Sequence, residues 1–138
     1  MAILSLFGKP KKKKSRRAYL IGEIDKIVSL KVRERDGHYC RHCGRPRGFY
    51  GDKKGHVFHH HILTKSRLPT RWLLENGVTL CFHCHVWAHS AGEEFREWVL
   101  TWMSQAQYEL LYIRSQMRGG FRECDLEFLL RDMRRRDG

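Results

Sequence analysis

Between Arg17 and Asp36, apolar side chains fall at Leu20, Ile21, Ile24, Ile27, Val28 and Val32. Steps of three and four line one face of a helix, and Asp36-Gly37 is a turn signal that ends it. From Tyr39 to Gly48 the periodicity gives way to Gly, Cys and Arg, a knuckle-like loop. Gly51 to Gly55 is a polar turn that suits a hairpin connection, and Val57 to Ile62 predicts a short strand. Leu68 to Gly77, with Pro69 and Asn76-Gly77, reads as a loop; Val78 to Leu80 predicts a second strand, and a helix follows from Phe82 to about Ser90. Ser90-Ala91-Gly92-Glu93 matches a capping box and predicts a new helix with Phe95, Trp98, Val99 and Trp102 on its stripe. Ser104 and Gln107 repeat the signature ahead of Tyr108, Leu111 and Tyr112. Gly119-Gly120 breaks the chain, and a last helix from about Arg122 to Arg135 packs Leu126, Leu129, Leu130 and Met133. Two short strands among several helices predict an α+β fold.

Composition narrows the picture. With 138 residues and 41% apolar content the chain has material for one domain core. A formal charge of +12 favours polyanionic partners, nucleic acid first. Seven of the basic residues lie between Lys9 and Arg17, so residues 1–17 are expected to form a loosely held arm, with Lys11, Lys12, Lys13 and Lys14 against phosphates. No apolar run reaches membrane-spanning length, and MAILSLF, with no basic residues before it, is a poor secretory signal. The expectation is a soluble, cytoplasmic protein with no membrane partner.

The cysteines add a site. Cys40-Arg41-His42-Cys43 and Cys81-Phe82-His83-Cys84 are two C-x-x-C pairs. Two residues between thiols let both converge on one ion from a tight turn, and two such turns complete a tetrahedron around zinc. Four thiolates leave no open position, so this zinc is expected to be structural. His42 or His83 in place of a cysteine is the less favoured ligand set. Cys124 reads as a small buried side chain.

The histidines raise a second question. His59-His60-His61 runs along the first strand, where neighbours alternate faces. His85 and His89 are four apart, hence on one helical face and within reach of one ion, directly after the second cysteine pair. The order His61, Asn76, His85, with Cys40, Cys43, Cys81 and Cys84 around it, resembles the HNH endonucleases of the ββα-metal superfamily, particularly the cysteine-bearing proteins common in phages. The likeness covers about Val32 to His89.

That resemblance implies a small ββα-metal core at residues 18–90, including the first helix, followed by a helical extension over 91–138. It implies His61 as general base, and His60, His85 and His89 around one catalytic divalent ion. It implies Asn76 holding the loop and, through its amide, the orientation of His61. Where the family commonly has Asp, this chain has His60. Three imidazoles favour Mn, Co, Ni or Zn and weaken the case for Mg. The implied reaction is hydrolysis of DNA phosphodiesters to 5′-phosphate and 3′-hydroxyl ends, on double-stranded or branched DNA, in phage recombination, replication or packaging. Lys65, Arg67 and Arg71 between the strands, and Arg41, Arg45 and Arg47 in the knuckle, are candidate phosphate contacts. The helix N-terminus near Cys84 is expected to add a positive end toward phosphate. His59 has no role in this scheme. The rival readings are a zinc-stabilised DNA-binding or scaffold protein without catalysis, and an RNA-binding or RNA-cleaving protein. The helices after Ser90 leave open packing on the core, a homodimer surface or other phage DNA-processing partners.

Overall fold

The structure is a computed structural model, and it describes residues 10–46 and 57–138. The predicted turn at Gly51 to Gly55, and Arg47, lie outside the described residues. Helix α1 spans Arg16–Arg35, opened by Ser15, whose hydroxyl accepts from Ala18 N at 3.2 Å. Leu20, Ile24, Val28 and Val32 repeat every four residues and are buried along one stripe. The helix stops where Gly37 and His38 take positive φ, 66° and 59°.

Strand β1 (Val57–His61) pairs antiparallel with β2 (Gly77–Cys81), with His60 opposite Val78 and His61 opposite Gly77. Every residue of β2 is buried, because helices cover both faces of this small sheet. On one face Thr79 Oγ1 donates to Val32 O of α1. On the other, Val78 and Leu80 pack with residues of the later helices. These are α3 (Phe82–Ser90), α4 (Gly92–Val99) and α5 (Gln105–Gln116). Phe95, Val99, Met103 and Leu111 complete that core. A second core joins the α1 stripe to Trp72 and to Leu126 and Leu130 of α6 (Glu123–Arg136). The described residues thus form an α+β fold of six helices and a two-stranded sheet. No described helix is long and apolar enough to cross a membrane.

Five expectations change. The predicted loop from Leu68 to Gly77 contains α2 (Leu68–Arg71) and a 3-10 turn (Leu74–Asn76), since Pro69 suits a first helical turn. Ser104 and Gln107 form their capping box, but Ser90 does not. Ser90 is the last residue of α3, and its hydroxyl bonds back to Val86 O and Trp87 O, so α4 starts from Ala91 without a side-chain cap. Trp102 lies beyond the end of α4, and Tyr112 is exposed while Ser115 takes the buried position one turn after Leu111. Cys124 is exposed, because it falls outside the Leu126–Leu130 stripe that α6 turns to α1.

Candidate metal centres and the histidine cavity

The two C-x-x-C turns meet. The Sγ atoms of Cys40, Cys43, Cys81 and Cys84 all lie within 4.8 Å of one another. Zinc bound tetrahedrally at ~2.3 Å requires sulfurs about 3.8 Å apart. Cys43 and Cys81 stand 3.7 Å apart, far beyond a disulfide bond. The first turn closes through Gly44 at φ 76°, with Gly44 N donating to Cys40 O and Cys40 N to Arg45 O, both 2.8 Å. Amides then point at sulfur: Cys43 N at Cys40 Sγ and Cys84 N at Cys81 Sγ, each 3.5 Å. Burial raises Cys40, but the backbone amides of Cys43, Cys81 and His42 outweigh it and hold the thiol below its ordinary range. Burial first, then the neighbouring cysteines, push Cys84 up strongly. Such a set cannot ionise together without a cation, and the soft donors and tetrahedral spacing suit zinc.

His42 stands beside the thiols. Its Nδ1 is 3.3 Å from Cys84 Sγ and its ring stacks on Trp87 at 4.2 Å. This positions it to donate to a thiolate while leaving all four cysteines available as ligands. The amide of Cys84, in the first turn of α3, is turned to the sulfur of Cys81.

One turn on, α3 presents His85 and His89, with their Nε2 atoms 3.2 Å apart. Imidazoles on a shared tetrahedral ion at 2.0–2.1 Å would be about 3.3–3.4 Å apart. The pleat sends Phe58 and His60 toward α3 and Val57, His59 and His61 toward α1. His60 therefore meets the helical pair, its ring 5.0 Å from His85 and 4.9 Å from His89, and the three ligand atoms fall within 4.8 Å. Burial and then the two neighbouring imidazoles hold His60 down to about 3, which keeps it neutral and able to ligate. His85 Nδ1 is buried without a partner.

His61 is held differently. Its Nε2 is 3.1 Å from Arg71 O. A bond to a carbonyl puts the proton on Nε2 and leaves Nδ1 as the acceptor. Burial lowers His61 despite that carbonyl, so the ring is neutral at pH 7. Asn76, fully buried, clasps the loop before Arg71: Oδ1 accepts from Leu63 N at 2.8 Å, and Nδ2 donates to Leu63 O at 3.1 Å and Thr70 O at 3.0 Å. The amide braces the loop, as expected, but Arg71 O is what holds His61.

His59, His60, His61, His85 and His89 line one cavity of about 540 Å³. Lys65 lines it too, as does Arg96, which the sequence analysis missed; its guanidinium lies 5.2 Å from the Tyr108 ring. Arg71 is not a free phosphate contact: its guanidinium is paired with Asp25 at 2.6 and 2.9 Å and donates to Lys65 O. Trp72 Nε1 also reaches Asp25 at 2.8 Å. Burial opposes ionisation of Asp25, yet these donors hold it below the usual carboxylate range. Asp25 thus fixes Arg71 from α1; a lone acid beside an apolar stripe carries no sequence signal of that partner. Arg67 and Lys11 to Lys14 are exposed, and Arg45 sits in the knuckle. Arg41 lines a different cavity and lies 4.1 Å over the Trp102 ring.

His59 is the larger omission. Its ring centroid is 4.3 Å from that of His61, and its Nε2 is buried without a partner. Burial, followed by the charge of His61, lowers it to about 4. It packs on Gly77, where a Cβ would lie 2.5 Å from His59 Nε2. Gly77 was visible in the sequence, but as part of a turn signal only.

No protein-family model, curated protein or solved structure matches this chain.

Proposed function

We propose that β1, β2 and α3 form the ββα-metal core of an HNH-type endonuclease, which hydrolyses DNA phosphodiesters with a divalent ion at His60, His85 and His89. The observation that supports this most is the convergence of those three imidazoles, from a strand and a helix, beside a fourth whose tautomer is set by a backbone carbonyl. Both groups open into one cavity with Lys65 and Arg96 at its wall.

The chain's residues divide the work. His61 accepts a proton from water at Nδ1, and its lowered basicity keeps it unprotonated at neutral pH. Asp25 and Arg71 hold the carbonyl that orients it. Lys65 and Arg96 attract and position the anionic backbone. His60, His85 and His89 would hold the divalent ion, which would supply positive charge to the phosphoryl group and to the leaving oxygen. Expected products carry 5′-phosphate and 3′-hydroxyl ends. The four thiols would hold a structural zinc, which would fix the start of α3 and with it His85 and His89.

Plasmid nicking tests the reading. Zinc-loaded protein is supplied with Mn, Ni, Co, Mg or additional Zn. Nicking is expected with at least one of the first three, and His61→Ala should slow it about 10²–10⁴-fold. Equal rates for wild type and His61→Ala, or no cleavage with any ion, would sink the enzyme and favour a zinc-stabilised DNA-binding protein.

A further inference from the structure

Helix α5 has the histidine cavity on one side, through Tyr108, and a second cavity of about 510 Å³ on the other. The second is lined by Arg41, Trp102, Met103, Leu110, Arg114 and Glu75, among others. Its chemistry differs from that of the nuclease site. It holds no histidine or cysteine, and its features are an indole, an apolar floor and guanidinium groups. Arg35 lines it as well, but its guanidinium is committed to Asp36, Leu74 O and Gly77 O. Arg41 and Arg114 remain as cations for a ligand. Arg114 reaches Glu75 only at 4.0 Å, with both side chains 59% exposed. Such a pair is weak and yields readily to a phosphate.

The guanidinium carbon of Arg41 sits over the Trp102 ring, 4.1 Å from its centroid. The backbone of Arg41 is pinned, since its amide donates to Thr79 O at 2.9 Å and its neighbour Cys40 is a thiol ligand. A planar cation held over an aromatic ring and open on its outer side is a platform for a nucleobase. Trp102 Nε1 is buried without a partner, a donor in need of an acceptor. Leu110 is 62% exposed on the wall, an apolar surface of the kind a stacked base covers. Duplex DNA buries its base faces and offers nothing to such a platform; an unpaired strand offers both bases and phosphates.

We propose that this cavity binds an unpaired segment of DNA, with a base stacked against Arg41 and Trp102 and a phosphate at Arg114. The proposal rests on the nuclease reading and names its substrate class: DNA in which duplex adjoins a single strand, the two cavities on either side of α5 taking the two parts.

The test is fluorescence anisotropy on the full, zinc-loaded chain without added divalent metal. The probes are a labelled oligo-dT and a blunt duplex of equal length. Arg41→Ala and Arg114→Ala should each weaken oligo-dT binding about tenfold and duplex binding less than twofold, with zinc content and circular dichroism unchanged. Arg114→Ala should also reduce the slope of log affinity against log salt by about 0.7, the contribution of one single-strand phosphate. Arg114 is exposed on α5, so this variant keeps the test valid if Arg41→Ala disturbs the knuckle. Equal losses on both probes, or none on either, would overturn the proposal. The outcome is separate from catalysis: a protein that cuts duplex DNA yet shows no such discrimination loses only the second cavity, whereas discrimination without cleavage by any metal loses the nuclease.

Discussion

Asn76→Ala removes three hydrogen bonds from a side chain with no exposed surface. Leu63 N–H loses its acceptor, which at a part-buried site costs ~1–3 kcal/mol. The carbonyls of Leu63 and Thr70 each lose a donor but keep a second lone pair, so ~0.5–1 kcal/mol apiece is a fair figure. The loss should total about 3–4 kcal/mol, a large part of the ~5–15 kcal/mol that holds a domain of this size. In urea, with a slope of ~1.5–2 kcal/mol/M, the midpoint should fall by about 2 M. Asn76→Asp sharpens the test. One carboxylate oxygen can still accept from Leu63 N, but the other would face the oxygens of Leu63 and Thr70. The folded state therefore favours the protonated acid, and its pKa rises above the unfolded value. The penalty is full above that raised pKa and shrinks as pH falls toward ~4. Relative to wild type, Asn76→Asp should be at least as damaging as Asn76→Ala at pH 7 and should recover between pH 7 and 5.5. A loss under ~1 kcal/mol for Asn76→Ala, or an Asn76→Asp variant with wild-type stability at pH 7, would refute the role of the amide as the clasp of the loop.

Three further outcomes follow from the same geometry. Gly77→Ala places a Cβ 2.5 Å from His59 Nε2 and 2.8 Å from Val32 Cγ2, so it should destabilise by about 1–3 kcal/mol in chemical denaturation; in a His59→Ala background the cost should drop, and a strictly additive pair would refute the contact. Cys81→Ser should bring zinc, measured by atomic emission, below one ion per chain and loosen α3, weakening divalent-ion binding at His85 and His89; a folded, zinc-replete variant would remove Cys81 from the ligand set. His59, lowered to about 4 when folded, contributes stability that is complete above the unfolded value near 6.5 and is lost as pH falls toward 4. Comparing His59→Phe with wild type from pH 7 to 5.5 should show a shallower acid loss in the variant, by up to about 1.4 kcal/mol per pH unit; parallel curves would mean that the native ring takes its proton as freely as the unfolded one.

Much of the architecture was legible because local periodicity and tertiary burial agreed. The α1 stripe at Leu20, Ile24, Val28 and Val32 is buried, and α3 begins at Phe82 and ends at Ser90 as its sequence predicts. Where they diverged, a local signal had a competing use. Ser90 carries a capping pattern but spends its hydroxyl on the preceding helix. Cys124 has a buried residue's chemistry and sits on the outer side of α6.

By itself the sequence determined what is set by chain spacing: two thiol turns of a zinc-binding kind, and an imidazole pair one helical turn apart. Alternation along β1 also placed His60 and His61 on opposite faces. The tertiary structure alone decided which face met which helix. Packing on α3 brings His60 to His85 and His89, while His59 meets Val32 of α1 at Gly77 and His61 lies against His59. It also decided what holds each ring. The partners of His61 and Arg71 are a backbone carbonyl and an acid on α1, 46 residues before Arg71, and the packing surface of His59 is the bare Cα of Gly77. Backbone carbonyls and glycine surfaces are offered at every position in any sequence, so only folding shows which of them a side chain will use.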